Sequence, residues 1–326
     1  LSGNIAVIIP AYRAAWCIAE AVASALAQPE VAEVLVVDDA SGDDTLEVAS
    51  TADDGTGRLN LLRQEVNQGP SAARNRAIAE SHSPYIAVLD SDDRFLPGRS
   101  AALLSIKEEW DFVADNILFA GDAETIAAVP ALDTDQPPRT RQIELVEFAR
   151  RNISKRGANR SELGFLKPLI KRDFLEQHGL IYDEQLRLGE DFVLYAQALA
   201  KGAKFLLAET CGYGAIERAG SLSGNHSAND LAALAAASRE IMRTLPQGAE
   251  KNMMQRHAAS LDGKVAHRRF LDRKRSEGLW PATAHLMRSP NRFLHVSWSI
   301  AQDKLSPAAP SPLPRQLFSS EEFERP

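Results

Sequence analysis

Four short strand-like runs, residues 5–9, 34–37, 59–62 and 85–89, apolar but for Asn60, dominate the first part of the chain. Between them lie stretches of helical pattern at 14–28, 43–50 and 71–81. A strand that is apolar at every position must be covered on both faces, and helices between successive strands supply that cover. The alternation therefore predicts βαβ units and an α/β fold with a mostly parallel sheet flanked by helices. In such sheets ligands bind in the crevice outside the carboxyl ends of the strands. Two of the runs end there in acid: Asp38-Asp39 after the second and Asp90-Ser91-Asp92-Asp93 after the fourth.

Past Pro97 the pattern changes. Residues 111–119 read as a strand that turns at Gly121-Asp122 into a partner over 125–129, and 133–141 as a polar loop. Residues 151–166 form a polar, basic surface segment, 191–201 a helix and 204–208 a strand. From Asn229 the chain is Ala-rich and helical, and prolines 307, 310, 312 and 314 predict an extended or disordered tail. The expected organisation is an α/β domain over 1–223, a helical C-terminal region over 224–304 and a Pro-rich tail over 305–326.

Among 326 residues, 37 Lys and Arg face 44 Asp and Glu, a formal net charge of −7. A protein devoted to nucleic acid is usually basic overall, so that class is disfavoured. The charge is uneven, because residues 251–295 hold ten Lys or Arg against three acids. A basic helical segment on an acidic body suits either an anionic lipid surface or an ordinary solvated face. Two distant cysteines, Cys17 and Cys211, do not make a disulfide framework. No apolar run approaches the ~20 residues of a membrane-spanning helix. The expected location is cytoplasmic, peripheral at the inner face of the plasma membrane if the basic segment meets lipid.

Four constellations carry chemistry. Asp39, at a strand tip, can accept hydrogen bonds from a base or ribose, or merely belong to a helix cap. Asp90 and Asp92 fall on one side of an extended segment, where carboxylates repel unless a cation joins them. Arg74 lies in the first turn of a helix opened by Gly69-Pro70, a place that attracts phosphate. Asp191, at the head of an amphipathic helix, is either a general base or a residue favoured by the helix dipole. His226, in a polar loop, is a further candidate metal ligand or a solvent-facing side chain. A Gly-x-Gly-x-x-Gly turn, a Walker A loop, zinc spacing and a nucleophile elbow are all missing from the sequence.

Taken in order, these pieces resemble a family 2 glycosyltransferase with the GT-A nucleotide-diphospho-sugar transferase fold and a C-terminal helical appendage. The matching stretches are Val7-Ile8-Ile9-Pro10-Ala11-Tyr12, Val36-Val37-Asp38-Asp39-Ala40-Ser41, Asn67-Gln68-Gly69 and Ala73-Arg74-Asn75. Val88-Leu89-Asp90-Ser91-Asp92-Asp93, Gly189-Glu190-Asp191 and Gly220-Ser221-Leu222-Ser223 continue it. The match spans about residues 4–223 and is most similar to bacterial exopolysaccharide glucosyltransferases of the succinoglycan type.

The resemblance implies that Pro10 and Tyr12 line a nucleoside site, that Asp39 contacts uracil and that Arg74 sits near the base or diphosphate. It implies an Asp-x-Asp motif in which Asp92 meets Mg²⁺ or Mn²⁺ and Asp90 meets the ribose or a metal-bound water. Asp191 matches the catalytic base. The implied activity is inverting transfer of a hexose, glucose, from a UDP-sugar to a saccharide or lipid-linked oligosaccharide. Arg13 and Arg76 depart from the family pattern, which has Asn and Gly there. The rival readings are a non-catalytic nucleotide-sugar binder and a sugar nucleotidyltransferase. The second usually needs a Gly-rich loop where this chain has Pro10-Ala11-Tyr12-Arg13.

Overall fold

The computed structural model describes residues 3–153, 161–217, 226–287 and 313–324. In chain order the elements are β1 (Ile5–Ala11), α1 (Ile18–Leu26), β2 (Val31–Asp38), α2 (Thr45–Ser50), β3 (Leu59–Arg63) and α3 (Pro70–Glu80). Next come β4 (Tyr85–Val88), β5 (Arg94–Phe95), α4 (Arg99–Leu104), β6 (Phe112–Ala120), α5 (Ala123–Ala127), β7 (Thr140–Ile143) and α6 (Leu145–Arg151). Then follow β8 (Leu169–Lys171), α7 (Arg172–His178), α8 (Glu190–Ala200), β9 (Phe205–Ile216) and α9 (Ala228–Thr244). The last are α10 (Ala249–Glu277), α11 (Leu279–Met287), β10 (Arg315–Gln316) and α12 (Ser320–Glu324).

The chain divides into two units. The first comprises Leu1–Glu144, Gly164–Ala219 and Pro312–Pro326, and the second Leu145–Leu163 and Gly220–Ser311. In the first unit, ten strands among the described residues form one sheet, ordered β3-β2-β1-β4-β8-β6-β9-β5, with β10 on β6 and β7 on β9. The β3-β2-β1-β4 half is parallel, as the alternating runs require. Residues 5–9 of β1 are all buried because helices cover both faces. The other half is mixed: β8 runs antiparallel to β4 and β6, and β6 runs parallel to β9.

Three expectations change here. Residues 125–129 do not form a strand. Asp122 caps a helix instead, its Oδ1 accepting the Thr125 N–H at 2.7 Å. The ladder of β6 is taken by β9, β8 and β10. The strand expected over 204–208 continues to Ile216, through Gly212 and Gly214. A Cβ on Gly212 would lie 2.6 Å from Arg99 Cγ and 2.7 Å from Asp115 Oδ2, so the buried Arg99–Asp115 ion pair depends on that glycine. Part of the tail is ordered. Prolines dominate its composition, but Leu317, Phe318 and Phe323 bury, and β10 pairs with β6. Residues 305–312 lie outside the described residues.

The second unit is helical. Ser227 and Asp230 cap α9 reciprocally. On α10 the buried positions Met254, His257, Ala258, Leu261 and Val265 recur at three- and four-residue spacing and pack against α9.

Candidate active site

The carboxyl ends of β1, β2 and β4 and the N-terminal turns of α3 and α8 bring charged groups of the first unit together. Asp90, just past β4, is held on both carboxylate oxygens. Oδ1 accepts from Arg74 Nη2 at 3.0 Å, and Oδ2 pairs with Lys167 Nζ at 2.8 Å. The same ammonium donates to Asp191 Oδ2 at 2.7 Å. Arg74 Nη1 donates to Glu190 Oε1 at 2.8 Å and lies 3.8 Å from Asp191 Oδ1. Asp191 Oδ1 accepts no hydrogen bond among the described residues.

Three carboxylates thus share two cations in a site where Arg74, Lys167 and Asp191 are buried. Burial opposes every one of these charges, and the mutual attraction has to overcome it. For Lys167 the attraction of Asp191 and then Asp90 outweighs burial and holds the ammonium above the usual lysine range. For Asp90, burial is likewise outweighed, by Lys167 and then Arg74, and its carboxyl stays well below the usual range.

Local sequence sets these positions. Gly69 has φ +96°, Pro70 opens α3, and Arg74 follows one turn later over the Tyr182 ring, 5.2 Å from its centroid. Asn75 binds the Tyr182 backbone twice, at 2.9 Å in each direction, which fixes the segment leading to α8. Gly189, in the left-handed region at φ +73°, starts α8 and turns Glu190 and Asp191 inward. The Lys167 carbonyl accepts from Arg99, so its backbone is tied to the Arg99–Asp115 pair.

Asp39 is buried and its carboxylate is engaged by the chain. Oδ1 accepts from Gln64 Nε2 at 2.6 Å and the Gln68 N–H at 2.7 Å, and Oδ2 accepts the Gly69 N–H at 2.7 Å. A cavity of about 520 Å³ beside it is lined by Ala40, Ser41, Arg63, Gln64 and Glu65. Pro10 pairs with Val37 in register, and Tyr12 is 47% exposed, with the Arg13 guanidinium over its ring. Asp92 is partly exposed in the turn after β4. Asp93 is buried: Tyr213 Oη donates to its Oδ2 at 2.8 Å and also accepts the Asp90 N–H at 3.2 Å.

The model of glycosyl transferase family 2 matches residues 6–155. The succinoglycan biosynthesis protein ExoU of Rhizobium meliloti (strain 1021) is 49% identical over 313 residues, 95% of this chain and 91% of that protein. The chain belongs to glycosyltransferase family 2. ExoO of the same organism, also described as a succinoglycan biosynthesis protein, is 30% identical over 91% of this chain and 85% of its own. Among solved structures, S. aureus TarS 1-349 in complex with UDP-GlcNAc aligns with TM-score 0.59 at 17% identity, over 92% of each chain. The same fragment in complex with UDP gives 0.56 at 21% identity, over 84% of this chain and 72% of that one. The family 2 enzyme thus has a GT-A-like fold with a mixed sheet and a C-terminal helical extension.

Of the residues this glycosyltransferase's sequence singles out, Arg74, Asp90 and Asp191 meet in one cluster. Pro10, Tyr12 and Asp39 lie at the tips of β1 and β2. His226 belongs to the second unit, and residues 220–223 lie outside the described residues. Lys167, at the centre of the cluster, escaped the sequence reading. Its trace in the sequence is a single charge inside the otherwise apolar run Leu163-Gly-Phe-Leu-Lys-Pro-Leu-Ile170. Asp90 and Asp92, the residues the resemblance assigns to a cation, carry the hard carboxylate oxygens that suit Mg²⁺ or Mn²⁺, and both oxygens of Asp90 are engaged by Arg74 and Lys167. Among the described residues no three His, Cys, Asp or Glu are grouped to hold a metal. A cation bound there would need diphosphate oxygens and water to complete its shell.

Proposed function

We propose that this glycosyltransferase moves a hexose, glucose, with inversion from a UDP-sugar to a saccharide or lipid-linked oligosaccharide in bacterial exopolysaccharide synthesis. The acceptor and pathway follow from the likeness to ExoU and ExoO, both described as succinoglycan biosynthesis proteins. The donor class follows from the likeness in fold to TarS complexes with UDP and UDP-GlcNAc.

The observation that carries the reading is the placement of Asp191 beside Asp90 and Arg74, with Oδ1 unclaimed by any hydrogen bond among the described residues. A general base needs such a lone pair to take the acceptor hydroxyl's proton as the oxygen attacks the anomeric carbon. Lys167 donates to Asp191 Oδ2 at 2.7 Å and, with Arg74, holds the carboxylate in place. Tyr12 packs against the base beside Pro10, and Asp39 Oδ2, which takes one N–H from the chain, accepts another from uracil. Arg74 lies toward the diphosphate. Asp92 and Asp90 would hold Mg²⁺ or Mn²⁺, whose positive charge would offset the charge developing on the leaving diphosphate.

Product analysis tests the reading. Parent enzyme with UDP-glucose and an acceptor extract should release free UDP and a glycosylated acceptor. A nucleotidyltransferase would release diphosphate instead, and a mere binder nothing. Asp191→Asn should lower turnover by roughly 10²–10⁴, the usual contribution of such a base, while UDP affinity holds. Turnover near the parent's would remove Asp191 from the mechanism.

A further inference from the structure

Holding Asp191 accounts for only one of the two carboxylates that Lys167 pairs with. Its ammonium is buried, bridges Asp90 and Asp191 at 2.8 and 2.7 Å, and hangs from a backbone anchored by Arg99. Asp90 Oδ1 is engaged by Arg74 and Oδ2 by Lys167, so a ligand that takes an oxygen of Asp90 has to displace one of these two cations. A divalent ion arriving at Asp90 meets a positive charge already in contact with its ligand.

We propose that Lys167 is a resident counter-cation that competes with the divalent metal for Asp90, handing Oδ2 over on metal binding while keeping its bond to Asp191. This deepens the proposed function and rests on its assignment of Asp90 and Asp92 to the metal. The residue type suits the task. A lysine ammonium is a point charge with three rotatable donors on a flexible stem, so it can give up one partner and keep another. A guanidinium would grip its partners through a rigid fork and release Asp90 less readily. The handover also keeps the carboxylates from facing one another uncompensated in the ligand-free protein, where burial makes an unpaired charge costly.

The test is Mn²⁺ binding to the protein with UDP present, followed by titration calorimetry and by the electron paramagnetic resonance of free Mn²⁺. Lys167→Met should tighten Mn²⁺ binding at least tenfold, and Lys167→Arg should weaken it several-fold. Equal or weaker binding by a folded Lys167→Met variant overturns the proposal. Should that variant fail to fold, the parent protein labelled with ¹⁵N at lysine Nζ gives a second readout. A slowly exchanging ammonium signal, absent from Lys167→Arg, should shift when Mg²⁺ and UDP are added, and an unmoved signal overturns the handover. If neither the parent nor Lys167→Met binds Mn²⁺, the metal assignment of Asp90 and Asp92 fails and the competition falls with it. Binding of equal strength to both sinks the competition alone.

Discussion

A single carboxylate, Asp39, collects a side-chain amide and two backbone N–H groups from residues 64–69 and so ties the turn after β3 to the tip of β2. Removing it would leave buried donors unpaired, each costing about 1–3 kcal/mol. Asp39→Ala should therefore lose roughly 3 kcal/mol in chemical denaturation, and UDP affinity with it, because α3 starts at Pro70 and carries Arg74. A variant as stable as the parent would deny Asp39 this organising role. Sequence alone put Asp39 at the right strand tip but not in the turn it holds, because partners twenty-five or more positions away leave no local trace. The same reason hid Lys167. One cation in an apolar run looks like a surface residue until the fold supplies its acids, Asp90 and Asp191. Arg74 and Asp191 were readable because each sits at a helix start that the local sequence announces.

At the scale of elements, the buried strands β1, β2 and β4 were legible because strands covered on both faces must be apolar throughout. The short helix α5 was not, since Thr125, Ile126 and Val129 fit a strand as well and only the cap at Asp122 decides. In the helical pair α9–α10 the buried His257 has its Nδ1 3.1 Å from Ser238 Oγ. Burial, with a smaller push from Lys264, lowers its imidazole to about 4. A histidine whose folded value lies below its unfolded value takes up a proton first in the unfolded chain. Stability supplied by the neutral form is complete above about pH 6.5 and drains away as pH falls toward about 4, by at most roughly 1.4 kcal/mol per pH unit. Melting curves over that window should show the parent losing more stability than His257→Gln. Parallel slopes for the two proteins would take His257 out of the acid response.

Across the whole molecule, the basic excess of the sequence lies in residues 251–295. No helix among the described residues is long and apolar enough to cross a membrane. At the end of α10 and the start of α11, Leu279 is 53% and Trp280 84% exposed. An exposed indole five or six residues past Lys274 and Arg275 suits the boundary of an anionic bilayer, where basic side chains meet headgroups and an amphipathic ring sits at their level. We expect sedimentation with phosphatidylglycerol vesicles at low salt, weakening as salt rises, and about tenfold less binding for Trp280→Ser. Equal binding to zwitterionic vesicles, or none at low salt, would end the idea of a peripheral location at the inner face of the membrane.

The two-unit division has a further consequence. The helical unit leaves the sheet after β7 and again after β9, in each case past the end of a strand rather than within one. A lineage can lengthen, trim or exchange that insert without shifting any ladder by one residue. Relatives that keep the charged crevice while wearing unrelated helical attachments are the evolutionary outcome such grafting points favour.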